Sequence, residues 1–235
     1  VGLLFAAEFF LVAQALRFTS AAHTVVLLYT APIFVALGLH WKLPSERLSL
    51  IQWLGIACAF FGIVIAFLFR PTASQAAASS ALWGDALALL AGVLWAATTI
   101  AVRLTKLAEA PATQTLFYQL FIAFLVLLPV AFFMGQATIH WSVLSLTSLL
   151  FHTVVVSFAS YLIWFWLLKK YLASQLGVFS FLTPIFGMCF GVVLLNEQLE
   201  LNFLVGTCFV LMGVMVVSLH HKIKQYAQAF KVALQ

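Results

Sequence analysis

Apolar residues in this chain come in long unbroken runs, not in alternation with polar ones. The runs span roughly 1–17, 20–41, 48–69, 82–102, 113–134, 144–168, 173–195 and 201–219. Each reaches or approaches the about 20 residues that a helix needs to cross the hydrocarbon core of a bilayer. Short polar joints separate them: Pro44-Ser45-Glu46-Arg47, Arg70-Pro71-Thr72, Lys106 to Pro111, Gly135-Gln136, Lys169-Lys170 and Asn196-Glu197. A membrane barrel would show a period of two, and these runs do not. In lipid each backbone amide must then be paired inside its own segment, which only a helix allows. The pattern predicts an all-α membrane protein, a polytopic bundle with eight spans present.

The stretch Thr72 to Ser80 is rich in Ala and Ser and reads as a linker. It divides the chain into 1–70 with three spans, a periplasmic linker at 71–81, 82–220 with five spans, and a tail at 221–235. In the tail Ile223, Tyr226, Phe230 and Leu234 recur at three or four residues among lysines. That fits either a helix lying on the leaflet or a frayed polar end.

Composition supports the lipid setting. Of 235 residues, 65% are hydrophobic and 7% charged. Soluble domains are about half apolar and a quarter charged. The net charge of +5 does not imply nucleic acid, because the basic residues stand at helix ends. Lys42, Arg47, Arg103, Lys106, Lys169, Lys170, Lys222, Lys224 and Lys231 fall on one side of the alternating threading, and Arg17 and Arg70 on the other. The rule that basic loops stay inside makes the first side cytoplasmic, the chain's end included, in a multi-pass protein of an inner membrane. Asp85, Glu197 and Glu200 fall on the opposite side. Cys58, Cys189 and Cys208 lie inside apolar runs without metal-ligand spacing and read as buried free thiols.

Two stretches repeat. Ala31-Pro32-Ile33-Phe34 matches Thr183-Pro184-Ile185-Phe186, and Glu46, Leu48, Gly55 and Gly62 match Glu197, Leu199, Gly206 and Gly213 at a nearly constant offset. Arg17 and Ala21 fall on Lys169 and Ala173. The charge count puts Glu46 and Glu197 on opposite sides, so the copies are expected to be inverted, the arrangement that lets carriers alternate access. Gly55 and Gly62, Gly206 and Gly213, and the pair Gly187 and Gly191 suit close helix packing. Pro32 and Pro184 are expected to kink their helices.

These residues resemble the drug/metabolite transporter superfamily, in its EamA-like branch. The likeness rests on Pro32…Glu46…Gly55…Gly62, repeated as Pro184…Glu197…Gly206…Gly213, and on Trp83-Gly84-Asp85 through Trp95 to Arg103. It implies ten helices in two repeats of five, so this sequence is expected to lack the first two. It also implies a secondary transporter, an exporter of amino acids, related metabolites or drugs.

Glu8 is the one acid well inside a span, about 13 Å from the end marked by Arg17 at 1.5 Å per residue. An intramembrane acid normally faces a cavity, a partner or a proton route, which makes protons a candidate coupling ion. Trp95, Thr98, Tyr118, Gln119, Ser157, Tyr161 and Trp164 are the further substrate-binding candidates, chosen as polar or aromatic groups within spans that can line a cavity. Ser157, Tyr161 and Trp164 share a helix face, and Ser160 is the repeat counterpart of Glu8. His23 and His152, nearer span ends, read as interface residues. Glu46 and Glu197 read as charges at the starts of their own helices. No phosphate-binding G-x4-G-K-[ST] motif, metal cluster or other cofactor signature occurs. The chain therefore reads as a non-enzyme whose partners are a small-molecule substrate and the lipid bilayer. A membrane scaffold, and less so an intramembrane lipid-modifying enzyme, are the competing readings.

Overall fold

The structure is a computed structural model that describes residues 1–42, 47–68, 75–138, 140–160, 163 and 182–233. Among the described residues all regular structure is helical: α1 (Gly2–Ala15), α2 (Ala21–Leu28), α3 (Ala31–Lys42), α4 (Leu50–Leu68), α5 (Gln75–Leu104), α6 (Ala112–Phe133), α7 (Val143–Leu150), a π-helical stretch Phe151–Ser160, α8 (Leu182–Leu195) and α9 (Leu201–Ala233). Each predicted apolar run contains helix. Ala21–Lys42, Ser79–Leu104 and Thr113–Phe133 are long and apolar enough to cross a membrane, and the other described apolar helices are shorter.

Beside an apolar core, many large apolar side chains face outward and several polar ones inward. Phe117, Phe124 and Phe132 of α6 are exposed, whereas Asp85, Thr30, Thr207, His23 and Glu8 are buried. Lipid accepts the aromatic rings, and Asp85, His23 and Thr30 find hydrogen-bond partners inside the bundle.

Two expectations need correction. Residues 75–81, read as linker, are the first turns of α5. The tail is neither frayed nor a separate helix, because α9 runs unbroken from Leu201 to Ala233.

The chain forms two compact units, one of residues 1–126 and 183–235 and the other of residues 127–182. The larger unit combines helices from both parts of the chain, α1 to α4 before residues 71–81 and α8 and α9 near its end. Within it, α1, α2 and α3 lie along α5, and α4 pairs with α9. The α4–α9 pair is built on the repeated glycines. A Cβ at Gly62 would meet the Gly206 carbonyl oxygen at 2.5 Å, and one at Gly206 would meet the Gly62 oxygen at 2.6 Å. Gly55 and Gly213 face one another in the same reciprocal way. No other side chain permits backbones this close.

The first predicted span of this unit's proline motif is two helices. Pro32 has no N–H to return to Leu28, and α2 stops there. The backbone crosses the break through Thr30 N donating to Leu27 O (3.1 Å) and Ile33 N donating to Thr30 O (2.9 Å). Gly92 of α5 sits against the Leu27 and Leu28 carbonyls, where a Cβ would come within 3.1 and 3.0 Å. Pro184 is buried in the first described turn of α8. The turn before it, where a kink would show, lies outside the described residues.

The smaller unit holds the end of α6, α7 and the π-helical stretch. Ser142 and Ser145 close a capping box at the start of α7.

Candidate functional site

The larger unit has two unlike ends. At the basic end a cavity of about 370 Å³ is bounded by α3, α4, α5 and α9, within the range of small-molecule sites. Pro32, Val35 and Leu39 of α3 form an apolar wall, Trp95 and Thr99 of α5 lie across from it, and Arg47 and Arg103 border it with exposed side chains. Trp95 is held edge-on by Tyr29, ring centroids 5.2 Å apart. The α2–α3 break created by Pro32 lies directly beside this wall.

The acidic end is closed by a compact polar cluster. Asp85 of α5, 0% exposed, accepts from the Thr19 hydroxyl and lies 3.2 Å from Nδ1 of His23. His23 is 5% exposed and stacks on Phe203 of α9, ring centroids 3.8 Å apart. Glu197 reaches in from the α8–α9 turn: its Oε1 accepts from Ala21 N (2.7 Å) and its Oε2 from Ala22 N (3.1 Å). Ser20 accepts from His23 N (3.2 Å). The first three N–H groups of α2, which no helical carbonyl can serve, are thereby all satisfied. Local backbone aims Glu197. Asn196 adopts φ 53, a left-handed state that Asn tolerates and that ends α8, and Glu197 N donates to Gly191 O (3.0 Å). Gly191 leaves room for the carboxylate, since a Cβ there would lie 2.5 Å from Oε2.

Several sequence expectations are corrected here. Glu197 does not serve its own helix, which starts at Leu201; it caps α2, far away in sequence. His23 is a buried residue set against Asp85 and Phe203, not an interface one. His152 in the π-helical stretch is exposed, with Nδ1 3.2 Å from Ser148 O. Glu46 lies outside the described residues.

The candidate binding residues are not brought together. Trp95 lines the large cavity. Glu8 is 7% exposed on α1, away from that lining, and its Oε2 has no hydrogen-bond partner among the described residues. Thr98 is buried on α5 with an Oγ1 likewise unpartnered among them. Tyr118 and Gln119 line a smaller pocket of about 130 Å³ between the starts of α1 and α6. Ser157 falls in the π-helical stretch, its side chain outside the described set, and Tyr161 and Trp164 also lie outside the described residues. Arg47, Thr99 and Arg103 were not expected in a site. A signal was available: Trp95, Thr99 and Arg103 are spaced by four, on one face of a helix.

A family model described as the EamA-like transporter family matches residues 1–68 and 82–219. The chain is 26% identical over 200 residues to the uncharacterized transporter YoaV of Bacillus subtilis, covering 85% of this chain and 67% of the relative. An uncharacterized transporter of Archaeoglobus fulgidus is 26% identical over 215 residues, covering 91% and 71%. A protein of Salmonella typhimurium called probable amino-acid metabolite efflux pump is 26% identical over 215 residues, covering 86% and 69%. No solved structure matches the chain.

Proposed function

The chain belongs to the EamA-like transporter family, and from that premise we propose that it exports a small metabolite across an inner membrane by alternating access between two inverted repeats. Its relatives are transporters, not enzymes. The observation that carries the proposal is the contrast between the two ends of one helical unit. A metabolite-sized cavity lies at the basic end, while hydrogen bonds accepted by Asp85 and Glu197 close the acidic end.

In this reading the structure corresponds to a state loaded from the cytoplasm, with both the basic end and the C-terminus inside. Cargo enters past Arg47 and Arg103 and rests on Trp95. Release on the other side requires Glu197 to leave α2 and the Thr19–Asp85–His23 cluster to part. The inverted arrangement is supported by the α4–α9 crossing: replacing each glycine by its repeat counterpart turns the pair Gly55–Gly213 into Gly206–Gly62, which is the other pair in contact. Glu8 is proposed as the residue that takes up and releases the coupling proton, its unpartnered Oε2 being the supporting observation. The metabolite class, amino acids among them, follows the Salmonella typhimurium relative's name.

Counterflow in proteoliposomes loaded with a panel of amino acids and organic acids tests the proposal. Saturable exchange that Trp95→Ala reduces and that Glu8→Gln uncouples from a pH gradient is expected. Exchange no faster than through protein-free liposomes, for every compound, would leave the scaffold reading instead.

A further inference from the structure

The cavity has a charge pattern that carriage of a generic metabolite does not require. Arg47, just before α4, and Arg103, in the last turn of α5, approach it from different elements. Among the described residues no acid lines it. Two other polar side chains of the wall already carry hydrogen bonds. Gln52 donates from Nε2 to Val217 O (3.1 Å), and its Oε1 accepts from Ser49 N (3.0 Å). The Thr99 hydroxyl donates to Trp95 O (3.1 Å). Arg103 has a further interaction within the protein, and the five donors of a guanidinium leave room for another acceptor.

The lining therefore offers a ligand chiefly guanidinium groups at the border and apolar surface from Pro32, Val35, Leu39 and the Trp95 ring inside. A cationic cargo would meet two guanidinium groups, and among the described residues no acid lines the cavity. A neutral polar cargo could bond to the remaining Gln52 N–H, the Thr99 oxygen or the Trp95 indole N–H, but it would leave both guanidinium charges unused. An oxyanion attached to an apolar body satisfies both parts: the guanidinium fork matches a carboxylate or phosphate with two parallel hydrogen bonds, and the body covers the α3 wall and the Trp95 ring.

We infer that the cavity recognises an organic oxyanion with an apolar body, held by Arg47 and Arg103 with its body against Trp95. The inference deepens the proposed transport role by naming the class of cargo, and it concerns binding, which is measurable without carriage. A free metabolite and the headgroup of an anionic lipid share this chemistry, and the test separates them.

The purified full chain is placed in nanodiscs of neutral phosphatidylcholine and titrated with phenylacetate and with phenylacetamide, a pair alike in shape and different in charge. Phenylacetate should bind and phenylacetamide should bind at least about tenfold more weakly, the order expected for a charge-assisted hydrogen bond. Arg47→Gln and Arg103→Gln should each weaken phenylacetate binding by a similar factor. Arg47→Lys, which keeps the charge but not the fork, should restore part of it. Equal binding of the two probes, or phenylacetate binding indifferent to both arginine variants, would overturn the inference. In a second arm phosphatidylglycerol replaces part of the phosphatidylcholine. Arginine-dependent thermal stabilisation by that lipid, with phenylacetate failing to bind, would identify the oxyanion as a headgroup. Absence of both responses would remove the inference altogether. Phenylacetate binding without counterflow of any organic acid would keep it and remove the carrier instead.

Discussion

Substituting Glu197 by Gln isolates the closure of the acidic end. The side chain keeps its length, and only one terminal oxygen remains. The carboxylate now serves Ala21 N through Oε1 at 2.7 Å and Ala22 N through Oε2 at 3.1 Å. A glutamine must point its Nε2 at one of those donors, so one N–H at the start of α2 loses its acceptor, costing about 1–3 kcal/mol. Removing a negative charge from a helix start costs about 0.3–1 kcal/mol more. Ser20 still accepts from His23 N, so α2 itself persists and a total of about 2 kcal/mol is reasonable. If the cap exists only while the acidic end is closed, that energy is lost from the closed state alone, and the closed-to-open ratio falls about thirtyfold at 1.4 kcal/mol per factor of ten. The assay is labelling of Thr24→Cys, a buried position one turn into α2, by a membrane-impermeant maleimide, with Cys58, Cys189 and Cys208 replaced. Glu197→Gln should raise the labelling rate by at least tenfold, in line with that ratio. A lower thermal midpoint with unchanged labelling would show that the cap survives in every state, and the gating argument would fail.

Two further outcomes follow from the packing. Gly62→Val would place a Cβ 2.5 Å from Gly206 O and 2.7 Å from Val210 N; α4 and α9 must separate, and thermal unfolding in detergent should show a loss of about 3 kcal/mol or more, since overpacking of a tight contact is rarely relieved. A full-stability Gly62→Val protein would contradict the described crossing. For the buried pair, a double-mutant cycle of Asp85→Asn with His23→Gln should return a coupling of about 1–3 kcal/mol, whereas additive effects would mean that the 3.2 Å approach contributes nothing.

The bundle was readable in the sequence because lipid imposes one requirement on every span. An apolar run of the right length must be helical, and the joints must be polar. The break at Pro32 was readable for a similar reason, since a missing N–H acts locally. Partnerships across the chain were not. Glu197 and Ala21 are separated by most of the sequence, and the local pattern Asn196-Glu197 before a helix satisfies the same capping rule that Glu197 meets at α2. Asp85 was read only as a charge on the outer side, near the start of a span, yet Gly84 lets α5 approach Phe18 and Thr19 so closely that Asp85 becomes fully buried. Arg47 and Arg103 were absorbed by the orientation count. That count concerns which side a residue faces, and a cavity at that side uses the same residues. Trp95, Thr98, Tyr118 and Gln119 all met the criterion of a polar or aromatic group in a span, but only packing distinguishes the face of α5 that meets α3 from the face of α6 beside α1.

The reciprocal glycine contact between α4 and α9 has a mechanical consequence. On the proposed inverted arrangement, swapping the roles of the halves returns this crossing to itself. It can then act as a stationary pivot whose geometry is common to both orientations of the carrier, with no bond there to be remade at each turnover. The moving parts are the helices whose two ends differ, α2, α3 and α5, and the energetic bias between orientations resides in those ends. Lesions at the pivot should therefore abolish the protein, while lesions at the ends should tilt it.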